Sequence, residues 1–259
     1  MKLISWNVNS VRARLDRLLA LLDRHRPDVL CLQETKATDD LFPVDAVRAA
    51  GYHAATHGQK TYNGVALLTR EPARGVVQGF AGDPIPEQAR VISAEVGGIR
   101  VIDVYVVNGK EVGDPKYDLK LGWLDALTAW LRDAHDPATP LVITGDFNIA
   151  PGDRDVHDPE RWRDRVLCSG PERERLTALL DWGLSDLHRV LVPDEPAFTW
   201  WDYRGGAFPR DFGLRIDLAL GTAALRERVS GVSVDRDERK KTSGEGNPSD
   251  HAPLIVEFD

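Results

Sequence analysis

A set of polar side chains stands where the short apolar runs of this chain begin or end, and their types suit one piece of chemistry. Asn7 follows LISW, Glu34 follows DVLCLQ, and Asp146 and Asn148 follow PLVITG. Asp217 sits inside RIDLAL, and Asp250 and His251 precede PLIVEF. Strand-end loops are where a rigid scaffold carries reactive groups. Amide and carboxylate oxygens leaving separate strands suit a hard divalent cation such as Mg²⁺. A histidine beside the acids suits proton transfer or stabilisation of a phosphate's charge. Taken singly, most have a plainer explanation. Asn7 fits a turn, Glu34 a cap on the following ETKATDD, Asp146 an Asx-turn, and His251 a structural histidine. Asp217 is harder to dismiss, because a carboxylate between Ile216 and Leu218 needs a buried partner, and a histidine serves.

The elements that must position these groups can be read from periodicity. Residues 3–6, 28–33, 64–69, 91–96, 100–107, 140–145, 216–220 and 253–258 are short, β-branched-rich and bounded by Gly, Pro or polar residues, which predicts strands. Residues 11–25 carry Leu15, Leu18, Leu19 and Leu22 at helical spacing; 116–134 and 172–182 read the same way. Many strands with few helices between them predict layered sheets covered by helices rather than a simple parallel array. Two polar stretches, 150–165 and 236–249, read as solvated loops, the second as a mobile one.

Composition narrows the function classes. The chain has 259 residues, is 42% apolar and 29% charged, and can build a proper core. No repeat or linker divides it, so one domain over 1–259 is expected. A net charge of −8 argues against wholesale wrapping of nucleic acid but leaves room for a local basic groove. Cys31 and Cys168 form no metal motif or disulfide framework. With no signal-peptide pattern and no long apolar run, the expected setting is the cytoplasm, away from membranes.

Several blocks, in order, resemble the signatures of exonuclease III-type AP endonucleases, within the wider endonuclease/exonuclease/phosphatase superfamily. They are WNVNSVRAR (6–14), LQETK (32–36), HGQKTYNGVALL (57–68), GDFNIAP (145–151), WWDYR (200–204), LRIDLAL (214–220) and PSDHAPL (248–254). GDFN and SDHAP indicate only the superfamily; the others narrow it to the DNA-repair branch. The resemblance implies a four-layered α/β sandwich of two packed mixed sheets flanked by helices. It also implies a Mg²⁺-dependent DNA phosphodiesterase, with Mn²⁺ as a substitute ion. Such an enzyme nicks duplex DNA 5′ to abasic sites and works on 3′ ends as exonuclease and phosphodiesterase, as a monomer.

Carried over residue by residue, the resemblance makes Glu34 the principal metal ligand, with Asn7, Asp250, Asp146 and Asn148 close to the metal. Asp146 would activate water. Asn148, Tyr105 and His251, held by Asp217, would act on the phosphate. Asn9, Lys60 and Arg90 would support substrate binding, and Trp200, Trp201 and Leu214 would line a pocket for a flipped-out, base-free sugar. Arg161, Arg163 and Arg165 are further candidates for DNA contact, or else a self-neutralised surface (ERWRDR). Two departures stand out. Val107 replaces the usual proline after the tyrosine, and Asn247 stands where relatives carry Lys or Arg, with Lys240 and Lys241 nearby to compensate. Two alternatives remain: a superfamily phosphatase acting on a non-DNA phosphodiester, and a catalytically weak nucleic-acid-binding regulator.

Overall fold

The computed structural model describes residues 1–259, the side chain of Ser243 apart. The first half of the chain supplies β1 (Lys2–Asn7), β2 (Val29–Gln33), β3 (His53–His57), β4 (Val65–Thr69), β5 (Arg74–Gln78), β6 (Val91–Val96) and β7 (Ile99–Tyr105). The second half adds β8 (Leu141–Asp146), β9 (Leu184–Asp186), β10 (Asp217–Thr222), β11 (Val229–Val234) and β12 (Leu254–Phe258). The helices are α1 (Leu15–His25), α2 (Val44–Ala49), α3 (Pro115–Ala134), α4 (Pro159–Trp162), α5 (Gly170–Asp181), α6 (Leu187–Leu191) and α7 (Ala223–Arg226).

The strands form two six-stranded sheets, ordered β11-β12-β1-β2-β4-β3 and β5-β6-β7-β8-β10-β9. Both are mixed: β1 runs parallel to β2 and β7 parallel to β8, and their other pairings are antiparallel. The central strands are buried on both faces, which is why they read as continuous apolar runs. In β2, Val29 and Cys31 pack between the sheets, whereas Leu30 and Leu32 face the layer of α1 and α2. In β8, Val142 faces the other sheet, whereas Leu141 and Ile143 face α3 and α5. Helix layer, sheet, sheet and helix layer give the expected four-layered sandwich.

All eight predicted strands and three predicted helices form, with shifted ends. The chain at 12–14 is a 3₁₀ turn before α1, and the 100–107 strand ends at Tyr105. The unpredicted strands are mostly edges or short. In β5 every residue is exposed, so no apolar alternation marks it. The two stretches read as loops are more ordered than their composition suggests. Residues 150–165 contain a 3₁₀ turn at Asp153–Asp155 and helix α4, and Asp155 is buried against Arg215. The 236–249 segment is not a free surface loop. Arg17, buried under it, donates to the carbonyls of Glu238, Lys240, Lys241, Gly244 and Gly246 at 3.1–3.4 Å. Arg17 lies off the apolar stripe of Leu15, Leu18 and Leu22 on α1, yet is buried because the loop's carbonyls need donors.

His188 on α6 is buried with no hydrogen-bond partner on either ring nitrogen. Burial, with Arg215 nearby, pushes its pKa down from 6.5 to about 4. Above pH 6.5 the neutral ring is present in both folded and unfolded chains. Below it the unfolded chain takes up the proton first, so stability is lost progressively down to about pH 4. Thermal melts of His188→Leu and the parent protein across pH 4–7 are expected to show a shallower acid-side fall for the variant; parallel curves would contradict this.

Candidate active site

Register brings the reactive groups together. In the second sheet Tyr105 pairs with Asp146, and Asp146 with Asp217, so three neighbouring strands present one row at a common edge. In the first sheet Asn7 pairs with Gln33, which puts Glu34 just beyond the same edge. An isolated bridge between Trp200 and His251 adds the last segment. Glu34 and Asn148 both take left-handed backbone, each with φ of 51°, a conformation costing roughly 1–3 kcal/mol for a non-glycine residue and concentrated at functional sites. Gly145 makes the β8 end possible. Its φ is +139°, and a Cβ there would lie 1.9 Å from the Val104 carbonyl oxygen.

The polar groups interlock. Asn7 donates its amide to Glu34 Oε1 (2.8 Å) and to Asp146 Oδ2 (2.9 Å), bridging the two carboxylates. His251 Nδ1 lies 2.9 Å from Asp217 Oδ2, and its Nε2 lies 3.8 Å from Asp146. Asn148 donates its backbone N–H to Asp146 Oδ1 at 2.9 Å. Asn9 donates to Asp250 Oδ1, and Trp200 Nε1 to Asp250 Oδ2. Arg90 lies over the Tyr105 ring, 4.9 Å from its centroid, and donates to the Tyr105 carbonyl.

These acids sit in low-dielectric surroundings, and their protonation follows. Burial, reinforced by Asp217 and Glu34 and opposed by His251 and Asn7, lifts Asp146 to about 7. Burial works against charge on His251, but Asp217 and Asp146 outweigh it and lift the ring to about 10. Burial and the charges of Glu34 and Asp146 hold the Tyr105 phenol well above its usual pKa, so it remains a proton donor. Asp250 is half-buried, which raises its pKa, but His251, Asn9 and Trp200 outweigh this and keep it low.

Ligand atoms of Glu34, Asp146 and His251 all lie within 4.8 Å of one another. Lys36 already places a cation here, with Nζ 2.9 Å from Glu34 Oε2 and 2.6 Å from Asn9 Oδ1. This is a donor set for a hard cation: carboxylate oxygens, close together, with more negative charge than the neighbouring lysine neutralises. Asn7 turns its nitrogen to the carboxylates, and Asp250 accepts from Asn9 and Trp200.

Two clefts flank the cluster. One, of about 500 Å³, is lined by Gln59, Tyr62, Arg90, Tyr105, Asn108 and Lys110 among others. Lys60 is exposed in the same loop but outside that lining. The other, of about 460 Å³, has Trp162, Trp200 and Phe212 together with Arg161, Arg165, Arg204 and Arg210. Arg163 instead pairs with Glu160. Two expected pocket residues require correction. Trp201 is wholly buried, donating to Asp211 and packed edge-on against Phe208. Leu214 is wholly buried beneath Trp200, beside Val156 and Ile216. Successive residues of an extended strand point to opposite sides, so only one of the Trp pair can face the cleft. Asn108 was missed as a site residue, although it stands in the tyrosine block. It donates to Asn148 Oδ1 at 2.8 Å.

A layered sandwich with a carboxylate–histidine cluster at one sheet edge defines a phosphodiester hydrolase. The model for the Endonuclease/Exonuclease/phosphatase family matches residues 4–251, and the chain belongs to that family. It is 38% identical over 270 residues to exodeoxyribonuclease III of Haemophilus influenzae, covering all of both chains. Among solved structures it resembles a 3′ phosphatase, NExo, from Neisseria bound to a product DNA hairpin. That match has a TM-score of 0.95 and 44% identity, and covers 100% of this chain and 99% of that one. An AP endonuclease from Archaeoglobus fulgidus matches with a TM-score of 0.95 at 36% identity, over 100% and 99% of the two chains.

Because Trp201 is core, Trp201→Ala is expected to lower the thermal midpoint by roughly 10 °C, as for other large buried aromatics in chains of this size. Below the transition its selectivity among DNA substrates should match the parent. Altered selectivity with an unchanged midpoint would put Trp201 back in the substrate pocket.

Proposed function

We propose that this DNA-repair nuclease hydrolyses duplex DNA with Mg²⁺, or Mn²⁺ in its place, nicking 5′ to abasic sites and trimming 3′ ends. The observation that carries the reading is Asp146. It is buried, bridged to Glu34 by Asn7, held by the Asn148 N–H and faced by an imidazole paired with Asp217. Asp146, its two oxygens fixed by the Asn7 and Asn148 N–H donors, is placed to take a proton from water. As the water oxygen bonds to phosphorus and the P–O3′ bond breaks, charge builds on the phosphoryl oxygens. The His251 ring and the remaining Asn148 N–H are donors for that charge, and the Tyr105 phenol supplies a proton to the departing oxygen. Glu34, with Asp146, would hold the cation, which when bound supplies Lewis-acid stabilisation of the same charge. The family match and the likeness to a bacterial exodeoxyribonuclease III support action on DNA, and we propose the cytoplasm as its setting. We extend the proposal to a monomer with residues 1–259 acting as one unit.

A second emphasis, on 3′ ends, comes from the resemblance to the Neisseria 3′ phosphatase. The four arginines of the cleft beside Trp200 suit the DNA phosphates of either substrate. Rates on matched duplexes carrying an internal abasic site or a 3′-phosphate would order the two activities.

With an abasic duplex, nicking is expected in Mg²⁺ and none after full chelation. Asp146→Asn and His251→Ala should each lower kcat about 10²- to 10⁴-fold. Asp146→Asn should leave the thermal midpoint little changed, whereas His251→Ala should lower it, because the buried Asp217 carboxylate loses its partner. Activity that survives chelation would remove the cation, and full activity in either variant would remove that residue's role.

A further inference from the structure

The buried stripe of α3 runs Tyr117, Lys120, Trp123, Leu124, Leu127, Leu131, and a lysine occupies a place where the pattern calls for an apolar side chain. Lys120 is completely buried, and so is its ion-pair partner Glu172 on α5. Burying both charges costs several kcal/mol per ion before their attraction is counted, and apolar residues of like size commonly serve stability as well or better. Burial pulls the Lys120 pKa down, and Glu172 opposes the shift. Helix packing alone does not explain why the pair is there.

What Lys120 touches does. Besides Glu172, its ammonium donates to the backbone carbonyls of Asn148 (2.6 Å) and Asn108 (3.3 Å). Those two residues are joined by the Asn108 Nδ2 to Asn148 Oδ1 hydrogen bond of 2.8 Å, and Asn148 Nδ2 donates to the Val106 carbonyl at 3.1 Å. Asn148 holds left-handed backbone, so its carbonyl needs a fixed donor to stay there. Glu172 is itself immobilised. It accepts from the backbone N–H groups of Leu167 and Ser169, both at 3.0 Å, and from the Ser169 hydroxyl at 2.6 Å. The capping box of α5 thus anchors Glu172, Glu172 fixes the ammonium, and the ammonium fixes the backbone carbonyls of Asn108 and Asn148.

We infer that Lys120 is a positioning residue for catalysis, holding the Asn148 carboxamide in register with the phosphate while touching no substrate itself. The inference rests on the phosphate role proposed for Asn148. A donor displaced by about an ångström commonly loses roughly 10- to 100-fold in rate, and that is the loss expected in kcat for Lys120→Met, with KM for the abasic duplex unchanged.

The experiment is a double-mutant cycle on the full chain, assayed below each variant's melting transition. Because Lys120→Met strands a buried carboxylate, the paired variant Lys120→Met/Glu172→Gln is run beside it; glutamine keeps a side-chain acceptor for the cap and removes the charge. Both should lose kcat by the same factor. The loss should vanish in an Asn148→Ala background, because the carboxamide that Lys120 aims is gone. Parent-like kcat in the folded paired variant, or an undiminished loss in the Asn148→Ala background, would overturn the assignment. Full activity in Asn148→Ala alone would instead remove the phosphate role of Asn148, and this inference with it.

Discussion

Four carboxylates, Glu34, Asp146, Asp217 and Asp250, crowd one sheet edge in surroundings that disfavour charge. Buried like charges repel, and each costs free energy to desolvate. The neighbourhood is organised around that problem. Asn7 bridges two of the acids, His251 sits between two, Asn9 and Trp200 occupy a third, and Lys36 approaches Glu34 from outside. Burial, reinforced by Asp217 and Glu34, lifts Asp146 to about 7, and Asp217 and Asp146 lift His251 to about 10 against its own burial. A cluster left short of positive charge is also a cluster with affinity for a cation and for the proton of a nearby water.

The architecture answers this need by geometry rather than by local sequence. The parallel neighbours β1–β2 and β7–β8 end at the same edge, and antiparallel β10 begins there. Tyr105, Asp146 and Asp217 are therefore adjacent although far apart in the chain. The backbone accepts left-handed turns at Glu34 and Asn148, and a glycine at 145 where no Cβ fits. Three apolar layers buried behind the edge, one between the sheets and one under each helix layer, hold these turns, so their strain is borne by the core.

The same logic separates the residues that face substrate from those that hold them. Trp200 lies at the cleft with its indole on Asp250, while its neighbour Trp201 is core. Arg17 organises the 236–249 segment from below, and Arg215 ties the 150–158 turn, through Asp155, to Asp186. Buried cations beneath loops recur here because the loops carry carbonyls and carboxylates that no strand satisfies.

The strands and helices of the core, the polar residue types at strand ends, and the family could be read from the chain alone, because periodicity and motif order are local properties. Glu34, Asp146, Asp217 and His251 were legible as candidates for the same reason. Edge strands such as β5 were not, because an exposed strand has no apolar alternation to read. It took the folded arrangement to show that Trp201 and Leu214 are interior, that Asn7 turns its nitrogen toward the acids, and that Asn108 and Lys120 stand behind Asn148. Which way a side chain faces, and which distant carbonyl a buried ammonium meets, depends on register and layer packing that join residues tens to hundreds of positions apart.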